Sequence, residues 1–321
     1  MSHSLYPLLF QPIFKERIWG GSNLSELLNK KLPGNNIGES WELSAVDENV
    51  SKVANGALKG KTLLELIESY PEDLLGAETY KRFGNKFPLL FKFLDAQDDL
   101  SIQVHPNDIM AKKHHGGLGK TEMWYVLDAE PGAKLIVGFE NETTTEEYFH
   151  ALKNGSVVSL LQSYSVQRGD VFFLETGTVH AIGKGTVIAE IQQTSDLTYR
   201  IFDYNRKDAN GQQRELNTDL AMEAIYFGVR NPKIEYQLTT NSLQEVVNSP
   251  FFKTSFLKLD GFFNLKSKKS VFQVLMCVDG NVTVVSNSES FYFEKGDTVL
   301  LPAVLNNVTL EGKAELLVVS I

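Results

Sequence analysis

The chain has 321 residues, 42% of them hydrophobic and 22% charged, and 40 acidic against 31 basic side chains give it a formal charge of −9. That length predicts two domains, or one large β domain with additions. The acid excess argues against nucleic acid as the main partner, without forbidding a small anionic ligand. A single cysteine, Cys277 in LMCVDG, excludes an internal disulfide, fits a reducing cytoplasm and reads as a small buried hydrophobe; no apolar run marks a signal peptide or a membrane span.

In chain order, Tyr6–Phe14 is apolar and broken by two prolines, which predicts an extended segment on a sheet edge. Arg17–Gly21 reads as a turn, and Ser22 as the cap of a short helix over SNLSELLNK that Lys30–Gly34 ends. GESWELSA, residues 38–45, alternates as a strand with Trp41 and Leu43 on one face; Glu42, on the other, is either a solvated carboxylate or one aimed at a site. Thr62 and Glu65 make a capping box for a helix to about Tyr70, and Pro71 restarts a turn or helix to Gly76. Phe87–Asp95 is an apolar run with one lysine, consistent with a strand buried on both sides; Lys92 snorkels, the commoner case, or meets an anion.

The chemistry-bearing stretch follows. In SIQVHPND, residues 101–108, a strand puts Ser101, Gln103 and His105 on one face and Ile102 and Val104 on the other, and Pro106 ends it. Lys120 and Glu122 in GKTEMWYVL have the same two-residue spacing, and Gly177–Gly183 carries His180 in a glycine-flanked turn. A single histidine on a strand is more often a core or surface residue than a ligand. Here three segments offer compatible groups, and two imidazoles, an amide and a carboxylate can surround one divalent cation such as Zn²⁺. His114 and His115 lie in a Lys/Gly-rich loop after a short helix and read as solvated, as does His150 on a helix capped by Thr144 and Glu147 and closed by Gly155. Val187–Gln192 is a predicted strand, and Thr218–Phe227 a predicted helix closed by Gly228.

SIQVHPND, KTEMW, TGTVHAI, QQTSDLTYRIFDYNR, GESWELSA and FPLLFKFLDAQDDLSIQ together resemble the type I phosphomannose isomerases, in their shorter bacterial form. The resemblance covers most of residues 1–230 and weakly the rest. It implies a mainly β fold with helical insertions: a cupin-type (jelly-roll) β-barrel catalytic domain over 1–235 and a second, smaller cupin-like β domain over 236–321. In that second part Lys295-Gly296-Asp297 echoes Arg168-Gly169-Asp170, and short strands are predicted at Phe272–Val278, Val282–Ser286, Ser290–Phe293 and Thr298–Leu301, with turns at Asp279-Gly280 and Lys295-Gly296. It has no histidine, so it cannot repeat an imidazole site.

The resemblance further implies conversion of mannose 6-phosphate to fructose 6-phosphate through an enediol, with one Zn²⁺ per chain on Gln103, His105, Glu122 and His180. Arg200 matches the family's active-site arginine, for enediolate or phosphate; the plainer reading is an ion pair with Asp203 or a neighbour. Lys120 is a candidate for phosphate or proton work and Ser101 for phosphate, with Asp95, Glu42 and Glu190 in reserve. The expected partner is a sugar phosphate, with no nucleic acid or membrane, in a cytoplasmic monomer or small homo-oligomer. Two rival readings fit the same residues: an Fe²⁺ cupin dioxygenase, and a sugar-phosphate sensor without turnover.

Overall fold

The computed structural model describes residues 4–207, 211–266, 270–305 and 307–321. The chain is mainly β with helices inserted, as expected. Two sheets stack face to face in the first part. The smaller runs Leu161–Ser165, Lys134–Phe139, His180–Ile182, Ile102–Val104, Tyr199–Phe202; the larger runs Lys233–Ile234, Val171–Leu174, Glu122–Ala129, Thr186–Gln193, Leu89–Ala96, Ile37–Leu43, Ile13–Gly21. Their edges are not paired with each other among the described residues, so the pair is a jelly-roll-like sandwich.

Alternation along the strands sorts side chains into layers. Trp124, Val126, Phe172, Leu174 and Ile188 of the larger sheet pack on Leu135, Val137 and Ile182 of the smaller. The outward residues of the smaller sheet, among them Ile102, Val104, Ala181 and Ile201, are covered by Tyr148 and Ala221 of the helices Thr145–Lys153 and Thr218–Ala224. The outward residues of the larger sheet, Phe91, Phe93, Tyr125, Ala189 and Ile191, pack on Phe256, Val274, Met276 and Leu317 of a third sheet.

The third sheet takes Leu8–Leu9, Thr298–Leu301, Gln273–Ser286, Asn307–Ser320, Lys253–Lys266 and Leu243–Asn248 in that order, with Glu289–Glu294 pairing Gln273–Ser286. Its other face is aliphatic: Leu257, Leu259, Leu275, Cys277, Leu316 and Val318 close on one another.

Several local expectations need correction. Asp279-Gly280 is no turn: Gln273–Ser286 runs through it as one strand, and the register slips between Cys277 and Asp279. The hairpin turns instead at Asn287 and Ser288, at φ 49° and 65°. Arg17–Gly21 is part of the strand Ile13–Gly21. Ser22 makes no side-chain cap; Asp95 Oδ2 accepts from the Asn23 amide at 2.7 Å, which gives Asp95 a structural role. The helix expected to Phe227 stops at Ala224, because Tyr226 N donates to the Gly177 carbonyl and Phe227 stacks on Phe139. The helix Ala77–Phe83 was not anticipated by any pattern.

Candidate active site and metal centre

The strand Ile102–Val104 sends its two apolar side chains outward and Gln103 inward. His180 pairs across to Gln103, and Gln103 to Arg200 on the next strand. One row across the smaller sheet therefore reads His180, Gln103, Arg200. His105 lies just past the end of its strand, 2% exposed. Glu122 begins its strand in the facing sheet and is fully buried. Ligand atoms of His105, Glu122 and His180 all lie within 4.8 Å of one another.

The protonation pattern follows from the partners. His105 Nδ1 faces the Leu197 carbonyl and His180 Nδ1 the Thr178 carbonyl, each at 2.8 Å. A carbonyl only accepts, so each Nδ1 carries the proton and each Nε2 presents a lone pair. Burial pushes the His105 ring well below its ordinary range, helped by Lys120, and takes His180 down to about 4. Both rings are neutral. Their Nε2 atoms nonetheless face each other at 3.2 Å, and each lies 3.5 Å from a Glu122 oxygen. The Lys120 ammonium lies 2.7 Å from Glu122 Oε2 and 3.0 Å from His105 Nε2, while Glu122 Oε1 has no hydrogen-bond partner among the described residues. Four acceptors thus converge on one ammonium and the Gln103 amide, with Glu122 Oε1 left over, an arrangement that a bound cation relieves. Gln103 Nε2 is 3.3 Å from His180 Nε2. Its amide ends are interchangeable by a flip, so the side chain can equally present oxygen. Two neutral imidazoles, one carboxylate and an amide oxygen fit Zn²⁺ and leave it net positive.

This cluster lies beside a cavity of about 510 Å³, lined by Ser101, Gln103, Lys120, Glu190 and Arg200 among others. Charges alternate along its wall: Arg17–Glu39 at 2.8 Å, Lys92–Glu190 at 3.0 Å, Lys120–Glu190 at 3.8 Å and Lys120–Glu122 at 2.7 Å. Trp124 and Trp41 donate their indole N–H to Glu190 and Glu39. Lys92 is therefore an anion contact and not a snorkelling side chain. Burial raises Glu190, but Lys120 and Lys92 outweigh it and hold the carboxylate ionised. Burial likewise works against the Lys120 charge, and Glu122 and Glu190 more than restore it.

Arg200 opens onto the cavity. Its Nη1 donates to the Glu215 carbonyl at 2.9 Å, while its Nε is buried without a partner. Among the described residues no ion pair joins Arg200 to Asp203 or to a neighbouring carboxylate: Asp203 takes Arg206 and Arg214. Glu42 points away from the cavity, bound to Lys30 at 2.7 Å and to Ser40. His114 and His115 form the last turn of the helix Asp108–His115 and not the loop after it; both are exposed, as expected.

The family model "Phosphomannose isomerase type I, catalytic domain" matches residues 8–135, and "Mannose-6-phosphate isomerase, cupin domain" matches residues 242–321. Mannose-6-phosphate isomerase ManA of Bacillus subtilis is 42% identical over 320 residues, covering 97% of this chain and 98% of its own length. The chain belongs to the type I phosphomannose isomerase family. A mannose-6-phosphate isomerase of Streptococcus mutans is 37% identical over 97% of both chains. The crystal structure of a mannose 6-phosphate isomerase from Bacillus subtilis superposes with a TM-score of 0.89 at 33% identity, covering 98% of this chain and 99% of that one. The catalytic-domain match of the isomerase family takes in Ser101, Gln103, His105, Lys120 and Glu122; His180 and Arg200 fall within the full-length relatives.

Sequence reasoning did not single out Glu39 or Arg214 as cavity residues, nor Trp19 and Trp41. Glu190 stood only in reserve. A carboxylate inside IAEIQ, a strand buried on both faces, was the available signal.

Proposed function

We propose that this chain interconverts mannose 6-phosphate and fructose 6-phosphate in the cavity beside the His105–Glu122–His180 cluster, with one Zn²⁺ held by those residues and Gln103. The observation that carries the reading is the cluster of converging acceptors, next to a cavity that presents an arginine without a carboxylate partner among the described residues. A divalent cation held there supplies Lewis acidity for the oxygen that gains charge when the proton beside the carbonyl is removed. The remaining chemistry belongs to the chain. Arg200 offers a fixed cation to an anionic group of the sugar. Lys120 stays protonated between Glu122 and Glu190, so it can give a proton to the sugar's carbonyl oxygen as charge builds there and take one from the neighbouring hydroxyl as that oxygen becomes the new carbonyl. Glu190 holds Lys120 and Lys92 in place, Ser101 offers a hydroxyl, and Trp19 and Trp41 wall off water. The division into a catalytic part to about residue 235 and a second β part is proposed on the same footing. Among the described residues no helix is long and apolar enough to cross a membrane; a cytoplasmic setting is proposed from the buried single thiol.

The test is a coupled assay of mannose 6-phosphate conversion with metal analysis on the same sample. About one zinc per chain and loss of rate with a chelator are expected. Tight sugar-phosphate binding with no product, or iron with oxygen uptake, would overturn the reading.

A further inference from the structure

The cavity's cations are not all committed. Arg17, Lys92 and Lys120 are each taken up by a glutamate of the wall. At the Arg200 end the balance is different. Asp203, 5% exposed, is the single buried carboxylate there, and it serves two guanidiniums. Arg206 reaches its Oδ1 at 2.6 Å; Arg214 grips it with two nitrogens, Nε to Oδ2 at 2.8 Å and Nη2 to Oδ1 at 2.6 Å. Arg206 is further fixed to the Asp99 carbonyl and reaches Asp98 at 3.5 Å. The chain then returns beside the strand Tyr199–Phe202: Asn217 N donates to the Arg200 carbonyl, and its Oδ1 accepts from Arg200 N at 3.1 Å. That return sets Arg214 into the same cavity as Arg200. The two like charges are close enough that Arg214 is the chief charge working against Arg200, after burial itself. Arg200 Nε is buried without a partner, and Asp203 takes the Arg214 Nε and Nη2, not its Nη1. Asp196 is the acidic residue lining the cavity nearest in sequence, and no ion pair joins it to either arginine among the described residues.

Two guanidiniums brought to one cavity against their own repulsion make a site for a dianion such as a tetrahedral phosphate, whose oxygens accept from both. The row His180, Gln103, Arg200 spans two strand spacings, about 10 Å, on the order of the length of an extended six-carbon sugar phosphate. A carbonyl end beside the histidines leaves the phosphate at the arginines.

We propose that Arg214, braced by Asp203, grips the substrate phosphate together with Arg200 and so sets the preference for a phosphorylated sugar. The inference rests on the isomerase reading of this cavity and assigns its phosphate subsite. Asp203 touches no substrate; it is a positioning residue for Arg214.

The test uses full-length Arg214→Gln and Arg214→Lys with normal metal content. Loss of a charged hydrogen bond to phosphate predicts a KM for mannose 6-phosphate raised roughly ten- to a hundredfold in Arg214→Gln. kcat should stay within about threefold, and inhibition by inorganic phosphate should weaken in step. Arg214→Lys should recover part of the loss, and Asp203→Asn should raise KM by less than Arg214→Gln. An unchanged KM and unchanged phosphate inhibition overturn the proposal; so does a fall confined to kcat. If the wild type turns over no mannose 6-phosphate, the isomerase reading fails by itself. Calorimetry with inorganic phosphate, wild type against Arg214→Gln, then still decides whether Arg214 binds phosphate: equal affinities refute it and a weakened variant supports it.

Discussion

The chain builds one turn twice and does different things with the two copies. At Arg168-Gly169-Asp170, Gly169 N donates to Val126 O and Val126 N to Asp170 O; at Lys295-Gly296-Asp297, Gly296 N donates to Cys277 O and Cys277 N to Asp297 O. Both glycines take left-handed backbone, at φ 92° and 95°. Both aspartates accept from the amide three residues back, Gln167 at 3.1 Å and Glu294 at 2.9 Å. A buried strand follows in each case, Val171–Leu174 and Thr298–Leu301. The first then leads to Gly177 and His180, the second to Pro302, Ala303 and Val304. The strand after the first copy packs Phe172 and Leu174 into the core between the two stacked sheets, whose other residues wall the charged cavity; the strand after the second packs Val299 and Leu301 on Leu275, Cys277, Leu316 and Val318. The turn sets the backbone and a few residues beyond it set the chemistry, so fold likeness alone does not locate function.

The contrast can be broken from either side. The largest effect is expected in the charged interior: Arg200→Ala should lower kcat/KM for mannose 6-phosphate by about 10²- to 10³-fold while zinc content and melting temperature stay near wild type. An unchanged rate would reduce Arg200 to a structural residue. In the aliphatic interior the reverse is expected. Leu316 is fully buried, and Leu316→Ala should cost about 2–5 kcal/mol in urea unfolding with kcat of the folded fraction unchanged. A rate loss without destabilisation would show that the third sheet takes part in turnover. The smallest effect sharpens the contrast by pH. His180 sits near 4 when folded against an ordinary 6.5, so the unfolded chain takes up its proton first as pH falls. Stability linked to it is complete above 6.5 and is lost as pH falls toward 4. Metal-free protein should therefore lose about 2 kcal/mol between pH 7.5 and 5 through this group, and His180→Gln should remove that share of the slope. The third sheet contributes no histidine to such a slope.

What the sequence made legible was local. Period-two spacing placed Gln103 and His105 toward one space, and the Thr62–Glu65 and Thr144–Glu147 capping boxes formed as read. What it hid depends on register between distant strands. Lys92 meets Glu190 because Leu89–Ala96 pairs with Thr186–Gln193 at that residue, and no local pattern carries that alignment. Arg214 is similar: only the return of the chain beside Arg200 brings it to the cavity. Asp279-Gly280 misled because a glycine with left-handed backbone serves a bulge as well as a turn; a Cβ on Gly280 would lie 2.0 Å from the Lys313 carbonyl oxygen.

Leu8 and Leu9 pair with Leu300 and Val299, so residues near the start of the chain form the outer rim of a sheet otherwise made of its last eighty or so. During synthesis those two leucines stay without their partner until nearly the whole chain has left the ribosome, a long loop to close before the contact gives any return. A fragment cut near residue 235 would carry Thr298–Leu301 as a bare apolar rim open to pairing with other chains, and adding back a short peptide spanning Leu8–Leu9 is the natural way to shield it.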